Sequence, residues 1–294
     1  MIHSLLITGP LSNRAAAEAI AHCFGIPVRD VDMADEHTDQ ALRNWDAPVL
    51  CEKVTVRGDL AVLLDVCTRD GVGPQPDEAG LAMDFARVAR TVVLYAAEEA
   101  LPSAYWLAAD DGTVTRARLL ISDDEEPAYT IDAVEAPVAR LPRTPVTRLP
   151  EIVREQRTAT PVSDRFTSLL QALDSNRAEE PGTPHWMART RLAAWEQLVR
   201  TMADRWAPAN WYPADLYLER LEARDELETI RRQLTPRVVE LLESAVEPLD
   251  ARFLELTVQD DDWIDGLPRP SRPGGATPRT CGWWWHRRPD PLPW

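Results

Sequence analysis

The stretch from Trp211 to Thr257, WYPADLYLERLEARDELETIRRQLTPRVVELLESAVEPLDARFLELT, constrains the chain most. Tyr217, Leu221, Leu227, Ile230, Leu234, Leu241, Ala245, Leu249 and Leu256 recur there at steps close to three and four. That spacing places them along one helical face, with Glu219, Glu222, Arg231, Arg232, Glu240 and Glu243 off it. An isolated amphipathic helix is only marginally stable in water. The stripe therefore needs a partner surface and predicts a helical domain.

Helix-start signals extend that domain in both directions. Thr160-Pro161, Thr183-Pro184 and Thr235-Pro236 each set a capping threonine before a proline suited to the first helical position. Together with Pro213 and Asp215 they predict helices near 161–175, 184–206, 213–234 and 236–257, an antiparallel bundle or related all-α packing. Trp195, Leu198, Met202 and Trp206 give the second helix its stripe. Pro248 is expected to kink or split the last.

The first half reads differently. His3–Thr8 predicts a buried strand, and Asn13–Phe24 a helix capped by Ser12 and stopped by Gly25. Ile26–Val31 predicts a short strand, followed by an acidic polar stretch to about Asp46. Val49–Val56 and Leu60–Cys67 flank Arg57-Gly58-Asp59 as a hairpin, and Tyr105–Ala109 and Thr113–Ile121 flank Asp110-Asp111-Gly112 as another. Residues 70–76 read as a loop before a helix from Asp77 to Arg90. Strands are expected at Thr91–Ala96 and Tyr129–Val134. The fold class is an α+β N-terminal domain, with a mixed or mostly antiparallel sheet and two helices on one face, followed by an all-α helical domain with an irregular Trp/Pro-rich tail. Pro137, Pro142, Pro145 and Pro150 mark a linker. The division is 1–140 for the α+β domain, 141–160 for the Pro-rich linker, 161–265 for the helical domain and 266–294 for the tail.

Composition narrows the function. The 294 residues carry a formal net charge of −16. Residues 1–150 hold 13 basic and 24 acidic residues. That balance argues against sequence-independent nucleic-acid binding and would attract a basic partner. No run approaches eighteen apolar residues and the start lacks a basic signal region, so neither a membrane span nor a secretory signal is expected. Cys23, Cys51, Cys67 and Cys281 are scattered without a C-x-x-C pair, which fits free thiols in a cytoplasmic protein.

Motifs for chemistry are missing. LLITGPLSNR has the strand–turn–helix order of a phosphate loop but lacks its glycines and its lysine. His22-Cys23, Cys51 and Cys67 form no local ligand pair, and Cys281 with His286 lacks a second, so no metal and no cofactor are expected. There is no G-x-S-x-G or H-E-x-x-H. No stretch carries the motif of a known family.

The tryptophans stand out. Nine of eleven follow residue 150. Tryptophan serves cores and interface hot spots alike. An extended Trp283-Trp284-Trp285 run cannot turn every side chain inward. The expected function is a cytoplasmic protein that recognises a macromolecular partner, a basic protein, of which an immunity- or antitoxin-like neutraliser is one form. The candidate partner-binding residues are Trp283, Trp284, Trp285 and His286, with the acidic run Asp123, Asp124, Glu125 and Glu126. An enzyme with an inter-domain site is the alternative.

Overall fold

The computed structural model describes residues 2–69, 76–97, 101–156, 158–173, 180–266 and 282–294. They divide into two compact units, Met1–Gln156 and Arg157–Trp294. The expected loop at 70–75 and Cys281 lie outside the described residues.

The first unit is α+β. Its strands are β1 (Ile2–Ile7), β2 (Val31–Asp35), β3 (Val49–Thr55), β4 (Arg57–Gly58), β5 (Val62–Thr68), β6 (Val92–Ala96), β7 (Ala104–Ala109), β8 (Val114–Ile121) and β9 (Ala128–Val134). They form one sheet in the order β2-β3-β5-β1-β6-β7-β8-β9-β4. Most neighbours are antiparallel, while β2–β3 and β4–β9 are parallel. Helices α1 (Asn13–Phe24) and α2 (Glu78–Ala89) cover one face. Ser12 accepts from the Ala15 N–H, and Gly25 adopts a left-handed conformation at the helix stop. Leu5, Ile7, Leu64, Val66, Val93, Ile20, Phe24, Leu81 and Phe85 meet in the core between them. The opposite face buries Leu6, Leu94, Leu107, Ala117, Leu119 and Ile131 in a second cluster. Strand alternation supplies both faces from the same strands.

The sheet is larger than the sequence reading, and it returns on itself. The tip of the β3–β5 hairpin, β4, pairs with β9 at the far end of the sheet. The Asp59 N–H donates to the Tyr129 carbonyl at 2.7 Å, and the Ile131 N–H donates to Asp59 Oδ2 at 2.8 Å. The second strand also differs from expectation. Residues 28–30 form a single 3-10 turn, and the strand is Val31–Asp35, inside the stretch read as polar. Val31 and Ala34 are buried among acidic neighbours, so VDMAD shows no long apolar pattern. In the proline-rich segment, Val146 bridges to Val134 and Pro150–Glu155 forms helix α3. Leu149 and Ile152 are buried against Ala104 and Ala133. Arg118 on β8 ties this corner, pairing with Asp132 and with Glu151 of α3, each at 2.6 Å.

The second unit contains α4 (Pro161–Leu173), α5 (Pro184–Ala203), α6 (Ala214–Arg231) and α7 (Pro236–Leu256). α4, α6 and α7 all pack on α5, and α4 also packs on α7. Trp195, Leu198, Phe166, Tyr217, Leu221, Leu242 and Phe253 are among its fully buried side chains. In α7 the buried stripe is Val238, Leu242, Val246, Leu249 and Phe253, one position away from the Leu241–Ala245 row expected from spacing. α7 also runs unbroken through Pro248. Ser244 and Pro248 are both exposed, so water can satisfy the carbonyl that the missing proline N–H leaves free.

Two caps differ from expectation. Thr183 accepts from the Trp186 N–H as predicted, but Thr235 makes no side-chain cap bond. The α4 N-terminus is held by a carboxylate from α5. Glu196, 0% exposed, accepts from the Val162 and Ser163 N–H groups at 2.9 and 2.7 Å and from Ser163 Oγ at 2.7 Å. The unpaired N–H groups of a helix start are thus satisfied from a neighbouring helix.

Candidate functional site

α6 and α7 are joined by a short turn, yet each leans on α5 and a cleft of about 510 Å³ opens between them. From α6 it is lined by Arg224, Leu227, Glu228 and Arg231, and from α7 by residues at helical spacing from Leu242 to Leu254. Leu227, Leu242 and Val246 are buried in its floor. At one end stand Leu254, 43% exposed, and Trp283, 38% exposed.

The polar lining is mostly prearranged. Arg224 makes a two-pronged pair with Asp250, Nε to Oδ1 at 3.1 Å and Nη2 to Oδ2 at 2.8 Å. Its Nη1 donates to Glu228 Oε1 at 2.8 Å. Trp195 Nε1 donates to Asp250 Oδ1 at 3.0 Å, which links the cleft to the bundle core. The Arg224 guanidinium lies 4.3 Å from the Trp284 ring centroid, a cation–π arrangement. Arg231 pairs with Glu243 at 3.0 Å across the cleft. Glu247 also lines it and makes no ion pair among the described residues. Two guanidinium groups, both paired, therefore face four carboxylates.

The end of the cleft is built by the C-terminal segment. Trp283–His286 forms a 3-10 turn, and β11 (Arg287–Pro289) pairs antiparallel with β10 (Thr257–Gln259). The tail is thus less irregular than its prolines suggested. Successive side chains of a 3-10 turn point about a third of a turn apart, so the three tryptophans separate. Trp284 is 4% exposed, Trp285 is half-buried and Trp283 faces the cleft mouth. Asp225 accepts from Trp284 Nε1 at 3.1 Å and from Trp285 Nε1 at 2.7 Å. Burial pushes the Asp225 carboxyl above its ordinary range, while hydrogen bonds from Trp285, the Gly282 backbone and Trp284 oppose that shift. Arg287 fastens the strand by donating to Thr257 Oγ1 at 2.8 Å and to the Thr257 carbonyl at 2.6 Å. The Tyr212 N–H donates to the Pro293 carbonyl at 3.2 Å, and the Trp294 ring lies 5.6 Å from that of Tyr217.

The sequence-derived candidates separate accordingly. Trp283 lines the cleft, Trp284 and Trp285 hold the tail, and His286 Nδ1 faces Asp261 at 3.1 Å. Asp123, Asp124, Glu125 and Glu126 are exposed on the β8–β9 loop of the other unit, where Glu126 pairs with Arg57. Trp206 leaves its expected helical stripe. α5 ends at Ala203, Trp206 takes a left-handed backbone with φ 64°, and its ring lies 5.1 Å from that of Tyr212. Arg224, Asp250, Glu228 and Glu247 were missed, because charged residues flanking a stripe read as solvated. The available signal was opposite charges at helical spacing on two consecutive helices.

Other sites weigh little against this cleft. Cys51 is opposite Val66 and Cys67 opposite Leu50, so the two thiols lie on opposite faces of the sheet. Burial pushes the Cys23 and Cys51 thiols up to about 12. No cluster of three or more His, Cys, Asp or Glu among the described residues is placed to hold a metal ion. No helix among them is long and apolar enough to cross a membrane. Among the described residues, the cleft lining contains no His, Cys, Ser or Lys. The chain matches no family model, no curated protein and no solved structure.

Proposed function

We propose that this is an interaction protein that recognises a basic protein partner through the α6–α7 cleft. One observation carries the reading. An apolar floor and an exposed tryptophan sit beside four carboxylates, while both guanidiniums are already paired. A half-exposed indole beside a desolvated floor is the kind of anchor that carries binding energy, and excess negative charge selects a cation and speeds its approach. An immunity- or antitoxin-like neutraliser of a basic enzyme is one form of this function. The net charge of −16 adds long-range attraction.

The test is comparative capture from the native host. Wild-type chain should retain a basic protein that a Trp283→Ala/Glu243→Lys/Glu247→Lys variant, folded by circular dichroism, does not. The association rate should fall as salt is raised, since the Debye length is roughly 8 Å at physiological ionic strength. Equal capture by both chains, or an acidic captured protein, would remove the cleft from the explanation.

A further inference from the structure

We infer that the α6–α7 cleft takes a basic amphipathic α-helix of about three turns, which completes the bundle on its open side. The inference rests on the reading of the cleft as a protein-binding site and specifies the shape of what enters it. Three properties of the walls lead to it.

The first is backbone supply. An extended segment gains affinity by pairing its main chain with an exposed sheet edge. Both walls are helical, so most of their N–H and C=O groups are already bonded within α6 and α7. An extended occupant would bury backbone groups without partners, at a cost of about 1–3 kcal/mol each. A helix arrives with its backbone already satisfied.

The second is spacing. The α6 wall uses Arg224, Leu227, Glu228 and Arg231, which are steps of three, one and three. The α7 wall uses Leu242, Val246, Asp250 and Leu254, steps of four. Such rows form the grooves that receive the ridges of a third helix. From Leu242 to Leu254 the wall runs roughly 18 Å at the helical rise, the length of about three turns. The exposed Trp283 at one end of the cleft fixes the register by offering a ring face to the last apolar or cationic side chain.

The third is charge. Glu243 and Glu247 stand on the exposed flank of α7, one on each of two successive turns. Lysine or arginine at helical spacing beside an apolar stripe of i, i+3/i+4 and i+7 residues would meet both. Such a helix would exchange the Arg231–Glu243 pair, which is half-exposed, for contacts with itself.

Three synthetic peptides of equal length test this against the full chain. One carries a Leu stripe with flanking Lys, one has the same composition scrambled out of helical register, and one replaces Lys by Glu. Binding is read by calorimetry and by the fluorescence difference between wild-type chain and Trp283→Phe. The Leu/Lys helix should bind at least tenfold more tightly than the scrambled peptide, with a gain of helical circular dichroism on mixing. Glu243→Lys/Glu247→Lys should weaken it at least tenfold with an unchanged melting temperature. If both basic peptides bind equally, the helix is wrong and the basic-partner reading survives. If the acidic peptide binds as well as the basic ones, both are wrong.

Discussion

The two units weight the same means of burying polar groups differently. In the sheet unit, backbone pairing along nine strands does most of the work, and the cores on both faces are almost purely apolar. Its buried Arg116 guanidinium stacks 4.6 Å from the Trp106 ring centroid, and the buried Arg43 guanidinium pairs with Asp32 at 2.8 Å. In the helical unit, ions are placed between elements. Glu196 holds the start of α4, Arg224 and Asp250 bridge α6 to α7, and Asp225 holds the tail. The difference follows from geometry. Strands share hydrogen bonds with neighbours, whereas helices keep theirs inside and must be joined by side chains. Buried ion pairs specify an arrangement at a high cost if broken. The helical unit should therefore be the more sensitive to single polar substitutions.

The largest effect should come from Arg224→Ala. It leaves Asp250 and Glu228 facing each other where the nearly buried Arg224 stood, a loss on the order of 3 kcal/mol because Glu228 keeps partial access to water. Urea unfolding should show it, and Arg224→Met combined with Asp250→Leu should recover part of it. A loss below about 1 kcal/mol would mean that water screens the pair and that the contrast between the units is overstated.

Gly58→Ala is the matching blow to the sheet unit. Gly58 has φ 99°, and an added Cβ would collide with the Tyr129 carbonyl. The expected cost is about 1–3 kcal/mol. It should appear as faster hydrogen exchange at the Ile131 amide, and unchanged exchange there would show that the β4–β9 pairing is not held in solution. Glu196→Gln should cost less, about 1 kcal/mol, because one oxygen still accepts while the charge at the helix start is gone. A stability equal to wild type would make the charge irrelevant and leave only the shape of the cap.

The smallest effect is in acid, where two carboxylates sharpen the contrast by moving in opposite directions. Asp35, in the sheet unit, is held down to about 2, first by the Asn13 side chain and then by Thr38 and the His37 N–H. Its contribution to stability is present above the ordinary 3.8 and is lost as pH falls towards about 2. Asp225 is raised above 3.8 by burial. Its contribution is fully present below 3.8 and is lost as pH rises through its folded value. Titration of the Trp284 and Trp285 indole N–H resonances should therefore show a midpoint above 3.8. A midpoint at or below it would mean that the indole hydrogen bonds outweigh burial.

Much of the fold was legible from local chemistry. Ser12, Gly25, Thr183 and the Arg57-Gly58-Asp59 and Asp110-Asp111-Gly112 turns act within a few residues, so sequence exposes them. What escaped was nonlocal. Nothing near Gly58 announces Tyr129, and nothing near Pro161 announces Glu196. The site was less legible still. Trp283 could be singled out by its neighbours, but Arg224, Glu228, Asp250 and Glu247 become a site only when two helices stand apart. The α7 stripe misled by one position because Leu241 and Leu242 are both apolar, and only packing on α5 selects the second.

The β4–β9 pairing also has a temporal meaning. It joins residues some seventy positions apart, so the entropy of a long loop must be overcome before any of its hydrogen bonds form. Ribosomal synthesis delivers the hairpin tip well before its partner strand. Until Tyr129 reaches Gly58, the outer border of β9 and the tip are both open templates for another chain. The sheet unit should thus fold more slowly than the helical one, and its hazard should be greatest before the ring of strands is shut. Arg57, Asp59 and the acidic run 123–126 flank that seam, where their charge discourages a second chain from entering before the first has closed.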